Sequence, residues 1–480
     1  MKYEVVIGLE THAELDTESK LFCGCSTKFG SEPNTQTCPV CLGLPGVLPV
    51  MNKKAFEYSL KVAVALSCEI NKFTNFDRKS YYYPDLPKNY QTSQNYFNIG
   101  NNGYVDIVVA GKEKKINIHN VHLEEEAGKL VHPETSGANY SLVDFNRAGV
   151  PLLEIVTQPD MRSVEEVESY MQTLRNTLLY IGVSDCKMEE GSLRFEASIS
   201  LREHGSGVFG NRVEIKNLNS MKAVSKVITY EISRQGELLD KGEDVLMETR
   251  LWDDVDLVSR RMRSKEESHD YRYFPEPDLV PFQVEQKWID ETKAAIPELP
   301  VNRRLRFVNE LSVSDYDAGI LTEDKLLADY FEECVKISQD FEKELSNWII
   351  NDILRVLNEQ KINIQDFVIS PEMLVELVKI KPTIGNSIAK DVFAEMINTG
   401  KSASAIVKEK DLVRMDDTSE LDEIVIKVIE ENRQAAEDYG QGKKNALAFL
   451  IGQTMKITKG KANPKILTKL FKQRLSASPE

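Results

Sequence analysis

Residues 5–15 read VVIGLETHAEL, and their alternation decides the fold class. Successive side chains of an extended strand point to opposite faces, so Val5, Ile7, Leu9, Thr11, Ala13 and Leu15 share one side while Glu10, His12 and Glu14 share the other. The same period returns at Leu193, Phe195, Ala197, Ile199 and Leu201, with Ser192, Arg194, Glu196 and Ser198 opposite. Half-buried strands of this kind dominate as far as Asp290 and predict an α+β domain with an antiparallel or mixed sheet. One helix is well signposted within it, from Val164 to Ile181. Ser163 caps it, Glu166 completes a capping box, Val167, Tyr170, Met171, Leu174 and Leu178 form its apolar stripe, and Gly182 ends it.

After Ile296-Pro297-Glu298-Leu299-Pro300 the alternation stops and amphipathic helical segments take over. They include Leu326–Val335, Leu345–Leu357 and a helix announced by Ser370-Pro371, with Gly400 closing the central helical region. The final segment divides by charge. Asp411 to Gly440 carries ten acidic and three basic residues, net −7, and Gln441 to Glu480 carries nine basic and one acidic, net +8. A last helix starts at Asn463-Pro464 with Ile466, Leu467, Leu470 and Phe471 on one side.

The 480 residues predict two to four domains. Sixty basic against seventy-six acidic residues, net −16, exclude an unspecific whole-surface nucleic-acid binder. No run approaches the roughly 18 apolar residues of a membrane span, and the opening Met1-Lys2-Tyr3-Glu4 does not resemble an export signal, so a cytoplasmic location is expected. Of seven cysteines, Cys23, Cys25, Cys38 and Cys41 cluster as CxC-x12-CxxC. Two tight turns presenting four thiolates suit a closed, structural tetrahedral Zn²⁺, the alternative being ordinary buried thiols or a degenerate site that no longer binds metal.

A second constellation is acidic: Glu10 and His12 on one strand face, Glu124-Glu125-Glu126, Glu154 inside the apolar run Pro151–Val156, and Glu196 on a polar strand face. A lone carboxylate in a buried strand needs a partner or a cation, and oxygens with one imidazole suit Mg²⁺ or Mn²⁺. From spacing alone, solvated or salt-bridged structural carboxylates are the better explanation, because glutamates are common and their separation in space is not given by the sequence. There is no GxxxxGK[ST] phosphate loop, GxSxG elbow or HExxH helix.

Three motifs carry a resemblance: VIGLETH at 6–12, FDRK at 76–79 with YYPDLPK at 82–88, and DFNRAGVPLLE at 144–154. With KMEEGSLR at 187–194, EIKNLNS at 214–220, DYRYFPEPD at 270–278 and GKANP at 460–464, they resemble the B subunit family of the bacterial aspartyl/glutamyl-tRNA amidotransferase. The resemblance implies a cradle-type catalytic domain at 1–295 with a zinc-ribbon-like insert at 21–43, a helical domain at 296–405, and a small YqeY-like tRNA-binding tail at 406–480. It also implies a glutamine-dependent carbon–nitrogen ligase. ATP phosphorylates the side-chain carboxylate of a misacylated Glu-tRNA(Gln) or Asp-tRNA(Asn), and ammonia from a partner amidase (A) subunit displaces phosphate. A small C subunit completes a heterotrimer.

Carried over residue by residue, His12, Glu125 and Glu154 would hold the catalytic Mg²⁺. Glu10, Glu124 and Glu196 would lie near a second cation or the transferring phosphate, and Lys79, Lys88 and Asn89 near the ammonia route. Where the family usually shows Cys-Asp, this chain has Phe195-Glu196, a longer acid. The four cysteines occur in part of the family, which suits a structural role. Lys456, Lys459, Lys461, Lys465 and Lys469 of the tail are expected to contact tRNA phosphates, the alternative being a solvated helix face. Two other readings are a zinc-containing tRNA-binding adaptor without catalysis, and the related archaeal Glu-tRNA amidotransferase subunit, whose inserted domain finds no room between these motifs.

Overall fold

The computed structural model describes residues 2–133, 139–264, 271–412, 418–440, 443, 445–458 and 461–476. The chain divides into two compact units, Met1–Arg303 and Arg304–Glu480. Among the described residues, no helix is long and apolar enough to cross a membrane.

A nine-stranded sheet organises the first unit. Its strands in chain order are β1 (Tyr3–Glu14), β2 (Glu69–Ile70), β3 (Gly100–Val109), β4 (Lys112–Glu125), β5 (Pro151–Thr157), β6 (Leu193–Glu203), β7 (Val213–Lys216), β8 (Glu248–Asp253) and β9 (Val258–Ser264). Across the sheet they lie β9-β8-β7-β6-β1-β5-β4-β3-β2. Neighbours run antiparallel except β7 and β8, so the sheet is mixed. The first strand of the sequence is therefore central, paired with β6 from Tyr3 to Ala13 and with β5 from Glu10 to Glu14.

One face of the sheet is the core, where Ile7, Leu9, Leu123, Leu153, Ile155, Ala197 and Ile199 pack with helices α1 (Lys53–Ala65), α2 (Val164–Tyr180) and α3 (Met221–Asp240). The stripe expected on α2 is fully buried at Val167, Tyr170, Met171, Leu174 and Leu178. Val167, Met171, Leu174 and Leu178 each contribute about 1.5–3 kcal/mol of burial free energy. Ser163 Oγ accepts the Glu166 N–H at 3.2 Å, but the other half of the expected capping box is absent. The Glu166 carboxylate instead accepts the Arg162 N–H at 2.6 Å and meets Lys114 Nζ at 2.7 Å. A β4 lysine beside the helix start draws it one residue outward.

In the second unit, one apolar core lies between Phe307 and Val407, and a separate one joins Leu421, Val425, Val428, Leu450, Leu467 and Phe471. The helix expected over Leu345–Leu357 is not uniform. Glu342–Trp348 and Leu354–Gln360 are α-helical, but Ile349–Ile353 widens into a π-turn. Residues spaced by four, here Leu345, Ile349, Ile353 and Leu357, drift by about 40° per step around a straight α-helix, and a wider turn removes the drift. All four stay buried. Ser370 caps Pro371–Ile384 as expected, and Gly400, at φ 68°, closes Asn386–Thr399.

Candidate functional site

Strand register assembles the site. Across β6, β1, β5 and β4, Arg194 stands opposite His12, His12 opposite Glu154, and Glu154 opposite His122. Directly opposed residues share a face, so these four side chains form one row on the side away from the apolar core. One step along, Leu152 stands opposite both Glu14 and Glu124.

Glu154 Oε2 lies 3.3 Å from Nε2 of both His12 and His122. Glu124 reaches His12 Nε2 at 3.9 Å through Oε1 and His122 Nε2 at 3.8 Å through Oε2. One donor atom from each of His12, Glu124 and Glu154 lies within 4.8 Å of the others, a spacing that fits a divalent cation. Glu124 Oε2 is buried without a hydrogen-bond partner, an acceptor that a cation would satisfy. His122 Nδ1 lies 2.9 Å from Asn120 Oδ1, and an amide oxygen only accepts. Nδ1 therefore carries a proton, and Nε2 faces the carboxylates.

Burial opposes charge on both imidazoles, yet the Glu154 and Glu124 carboxylates raise His12 above its ordinary range and push His122 up to about 10. Glu154 is held well below the usual carboxylate range by the same two rings, despite its burial. Lys79 is likewise held charged against burial by the fields of Glu124, Tyr273 and Glu154, and its Nζ lies 5.2 Å over the Tyr271 ring.

The grouping expected from the resemblance, His12 with Glu125 and Glu154, does not form, because period two turns Glu125 to the face opposite Glu124, in register with Pro151. There Glu125 accepts the Thr92 N–H at 2.9 Å and pairs with Lys88. Both line a cavity of about 150 Å³ together with Cys41 and Gly149. The second expected set also separates. Glu10 and Glu196 are direct register partners, but Lys216 Nζ bridges Glu196 at 2.6 Å and Glu214 at 3.2 Å, while Glu124 belongs to the histidine cluster. Burial and the neighbouring Glu154, Glu196 and Glu214 charges raise the Glu10 carboxyl. Asn89 is exposed in a turn at φ 59°, a conformation asparagine tolerates well, with its N–H donated to Leu86 O at 3.1 Å. A second, open cavity of about 720 Å³ lies along the polar face, lined in part by Glu14, Arg147, Arg194, Glu196 and Asn217.

Sequence reading missed His122 and Lys216. The His122–Glu124 spacing of two on a strand was the available signal for the first. Lys216 had none, because only the fold lays β7 beside β6.

The cysteines converge. Ligand atoms of Cys23, Cys25, Cys38 and Cys41 all lie within 4.8 Å of one another. The Cys38 and Cys41 sulfurs are 3.9 Å apart, close to the roughly 3.8 Å edge of a tetrahedron with 2.3 Å zinc–sulfur bonds. The donor set therefore fits Zn²⁺. The Cys41 thiol is lowered to about 5, first by a hydrogen bond from Cys23 and then, against burial, by the Cys38 N–H and the Lys20 charge. Burial raises Cys25 to about 11. Gly43, at φ 65°, lets this loop approach Lys88 so closely that a Cβ there would lie 2.5 Å from Lys88 Cγ.

In the tail, Lys456, Lys465 and Lys469 are exposed, whereas Lys461 pairs with Asp411 at 2.9 Å. Lys459 lies outside the described residues. Part of the charge contrast is spent internally, since Arg474 also pairs with Asp422.

Residues 5–290 match the family model described as GatB/GatE catalytic domain, and residues 329–475 match the one described as GatB domain. Similar proteins, each named as the B subunit of an aspartyl/glutamyl-tRNA(Asn/Gln) amidotransferase, occur in several bacteria. The one from Thermoanaerobacter sp. (strain X514) is 52% identical over 478 residues, 99% of this chain and 100% of the relative. In Carboxydothermus hydrogenoformans the identity is 51% over 478 residues, 99% of each chain. In Thermodesulfovibrio yellowstonii it is 52% over 473 residues, 98% of this chain and 99% of the relative. With both halves of the chain matched in order and full-length relatives at this identity, the chain belongs to the family of tRNA-dependent amidotransferase B subunits.

Proposed function

We propose that this chain uses ATP to activate the side-chain carboxylate of a glutamyl or aspartyl group esterified to tRNA(Gln) or tRNA(Asn), and converts it to the amide with ammonia from a partner amidase subunit. A small third subunit would stabilise that pair, in a complex of three different chains. The observation that carries this reading is the His12–Glu124–Glu154 cluster on the central strands, with an orphaned carboxylate oxygen and cationic neighbours.

A carboxylate is a poor acyl donor. Its oxygen attacks the γ-phosphorus of ATP, the bond to the bridging oxygen breaks, and ADP leaves with the electron pair. Ammonia then attacks the carbonyl carbon of the acyl phosphate, phosphate departs, and the new nitrogen loses a proton to give the amide. Mg²⁺ held by His12, Glu124 and Glu154 would supply charge neutralisation at the phosphoryl oxygens. His122 fixes the Glu154 and Glu124 carboxylates from the β4 side. Lys79 and Arg194 are fixed cations flanking the cluster, suited to anionic oxygens of the substrates. Lys88 and Glu125, on the opposite face, suit the ammonia side of the reaction. The four cysteines would hold a structural Zn²⁺, and in a division of the chain at 296 and 406 the tail would be the part that contacts tRNA.

The test is ADP release and amide formation on both misacylated tRNAs by the assembled complex, with glutamine or with ammonium as donor. His12→Ala and Glu154→Gln are expected to reduce ADP release by about 10²–10³ or more while basal glutaminase persists. No ADP release from the wild-type complex would favour the adaptor reading and sink this one.

A further inference from the structure

Lys20 has no role in the chemistry above, yet it is fully buried, one of the largest side chains at 0% exposure. Its Nζ donates to Phe145 O at 3.2 Å and to Cys41 Sγ at 3.7 Å. Among the described residues it makes no ion pair with a carboxylate. Glu125, which lines the same cavity as Lys20, is committed through Oε1 to Thr92 and Lys88. A buried ammonium whose direct partners are a neutral carbonyl and a cysteine sulfur is costly unless that sulfur carries charge, so the burial demands an anion there.

We propose that the anion is the metal centre itself, and that Lys20 is the built-in counter-ion of a zinc tetrathiolate at Cys23, Cys25, Cys38 and Cys41. Four thiolates around Zn²⁺ carry a formal charge of about −2, and Lys20 neutralises half of it. The sequence builds the contact locally. The Lys20 N–H donates to Cys25 O at 2.9 Å, which ties the lysine to the first cysteine turn. The Gly149 turn, at φ 86°, packs beside the lysine stem: a Cβ there would lie at contact distance from Cys41 Cβ (3.6 Å), Lys20 Cδ (3.7 Å) and Glu125 Oε2 (3.8 Å). The lysine thus lies between the cysteine cluster and the Gly149 turn, fully buried. Hydrogen bonds to a metal-bound sulfur from outside the ligand set tune affinity in the same way as those to ligating histidines.

This inference rests on the zinc reading, and the experiment separates the two. Elemental analysis of the complex as purified is expected to give one zinc per chain, and a zinc-free wild type removes the reading and the inference together. With zinc present, competition against a chromogenic chelator is expected to show about 10–100-fold weaker zinc binding in Lys20→Met, with Lys20→Arg retaining most of the affinity. Lys20→Gln serves as a second neutral variant if the methionine form does not fold. A packing role is distinguished in the Cys38→Ser, Cys41→Ser background, where no zinc is held. There Lys20→Met is expected to raise the thermal midpoint, because it removes an uncompensated buried cation, whereas in the zinc-loaded protein it lowers it. Wild-type zinc affinity in both neutral variants, or the same sign of thermal shift in both backgrounds, overturns the role assigned to Lys20.

Discussion

Glu14 closes the polar face of β1, with its Oε1 buried and lacking a hydrogen-bond partner and Arg194 Nη1 at 4.0 Å. Burial, then the Glu126 charge, pushes its carboxyl up to about 7 from 4.5. A folded-state pKa above the unfolded one means that the folded protein favours the protonated form. The stability this group allows is full below about pH 4.5 and is lost as pH rises through 7. At 1.36 kcal/mol per pH unit, the interval converts to at most about 3 kcal/mol. In buffer free of divalent cations, Glu14→Gln should therefore match the wild type near pH 4 and become the more stable protein by pH 8, read from urea midpoints. A pH-independent difference would show that the carboxyl is better solvated than its position implies. At His122 the expected outcome concerns metal. Its Nε2 orients Glu154 and Glu124, so His122→Ala should weaken Mn²⁺ binding by calorimetric titration about 10–100-fold. An unchanged Mn²⁺ affinity would leave His122 a packing residue.

The last helix of the chain, Pro464–Ser476, shows how an element divides one charge between two uses. Leu467 and Phe471 are buried in the tail core, and Lys465 and Lys469 stand in water on another side. Lys461, just before the helix, is bound to Asp411. Neutralising Lys456, Lys465 and Lys469 together should flatten the salt dependence of tRNA binding by roughly 0.7–0.9 in slope per lost phosphate contact. Neutralising Lys461 alone should change it less, since its charge already has an acidic partner. A triple variant with the wild-type slope would make the exposed lysines a solvated face and nothing more.

For the whole molecule, the proposed division of labour rests on which cysteine nucleophiles the chain has left over. Four of its cysteines are gathered in one centre, and Cys186 and Cys334 are buried with thiols pushed up by that burial, to about 11 for Cys186. Burial likewise raises the Cys68 thiol to about 12. None is set to attack an amide. Purified alone, the chain should hydrolyse no glutamine, and glutaminase activity should appear only with the amidase partner. Glutamine turnover by the isolated chain would mean that the two half-reactions have been assigned to the wrong subunits.

The alternation at 5–15 and 193–201 was enough to establish strands and their buried faces, because side-chain period is a local property of an extended backbone. The CxC-x12-CxxC spacing likewise marked a centre, since its two turns are each local and the loop between them is short. Which carboxylates meet was not legible. Glu124 and Glu125 are neighbours in sequence, and only the pairing of β4 with β5 decides that the first joins His12 and the second faces away toward Lys88. The same holds for Lys216 beside Glu196 and for Lys20 beside Cys41, contacts that depend on where separate segments come to rest. Local periodicity is written along the chain, whereas strand register and the pairing of buried charges are settled by packing that brings distant residues together.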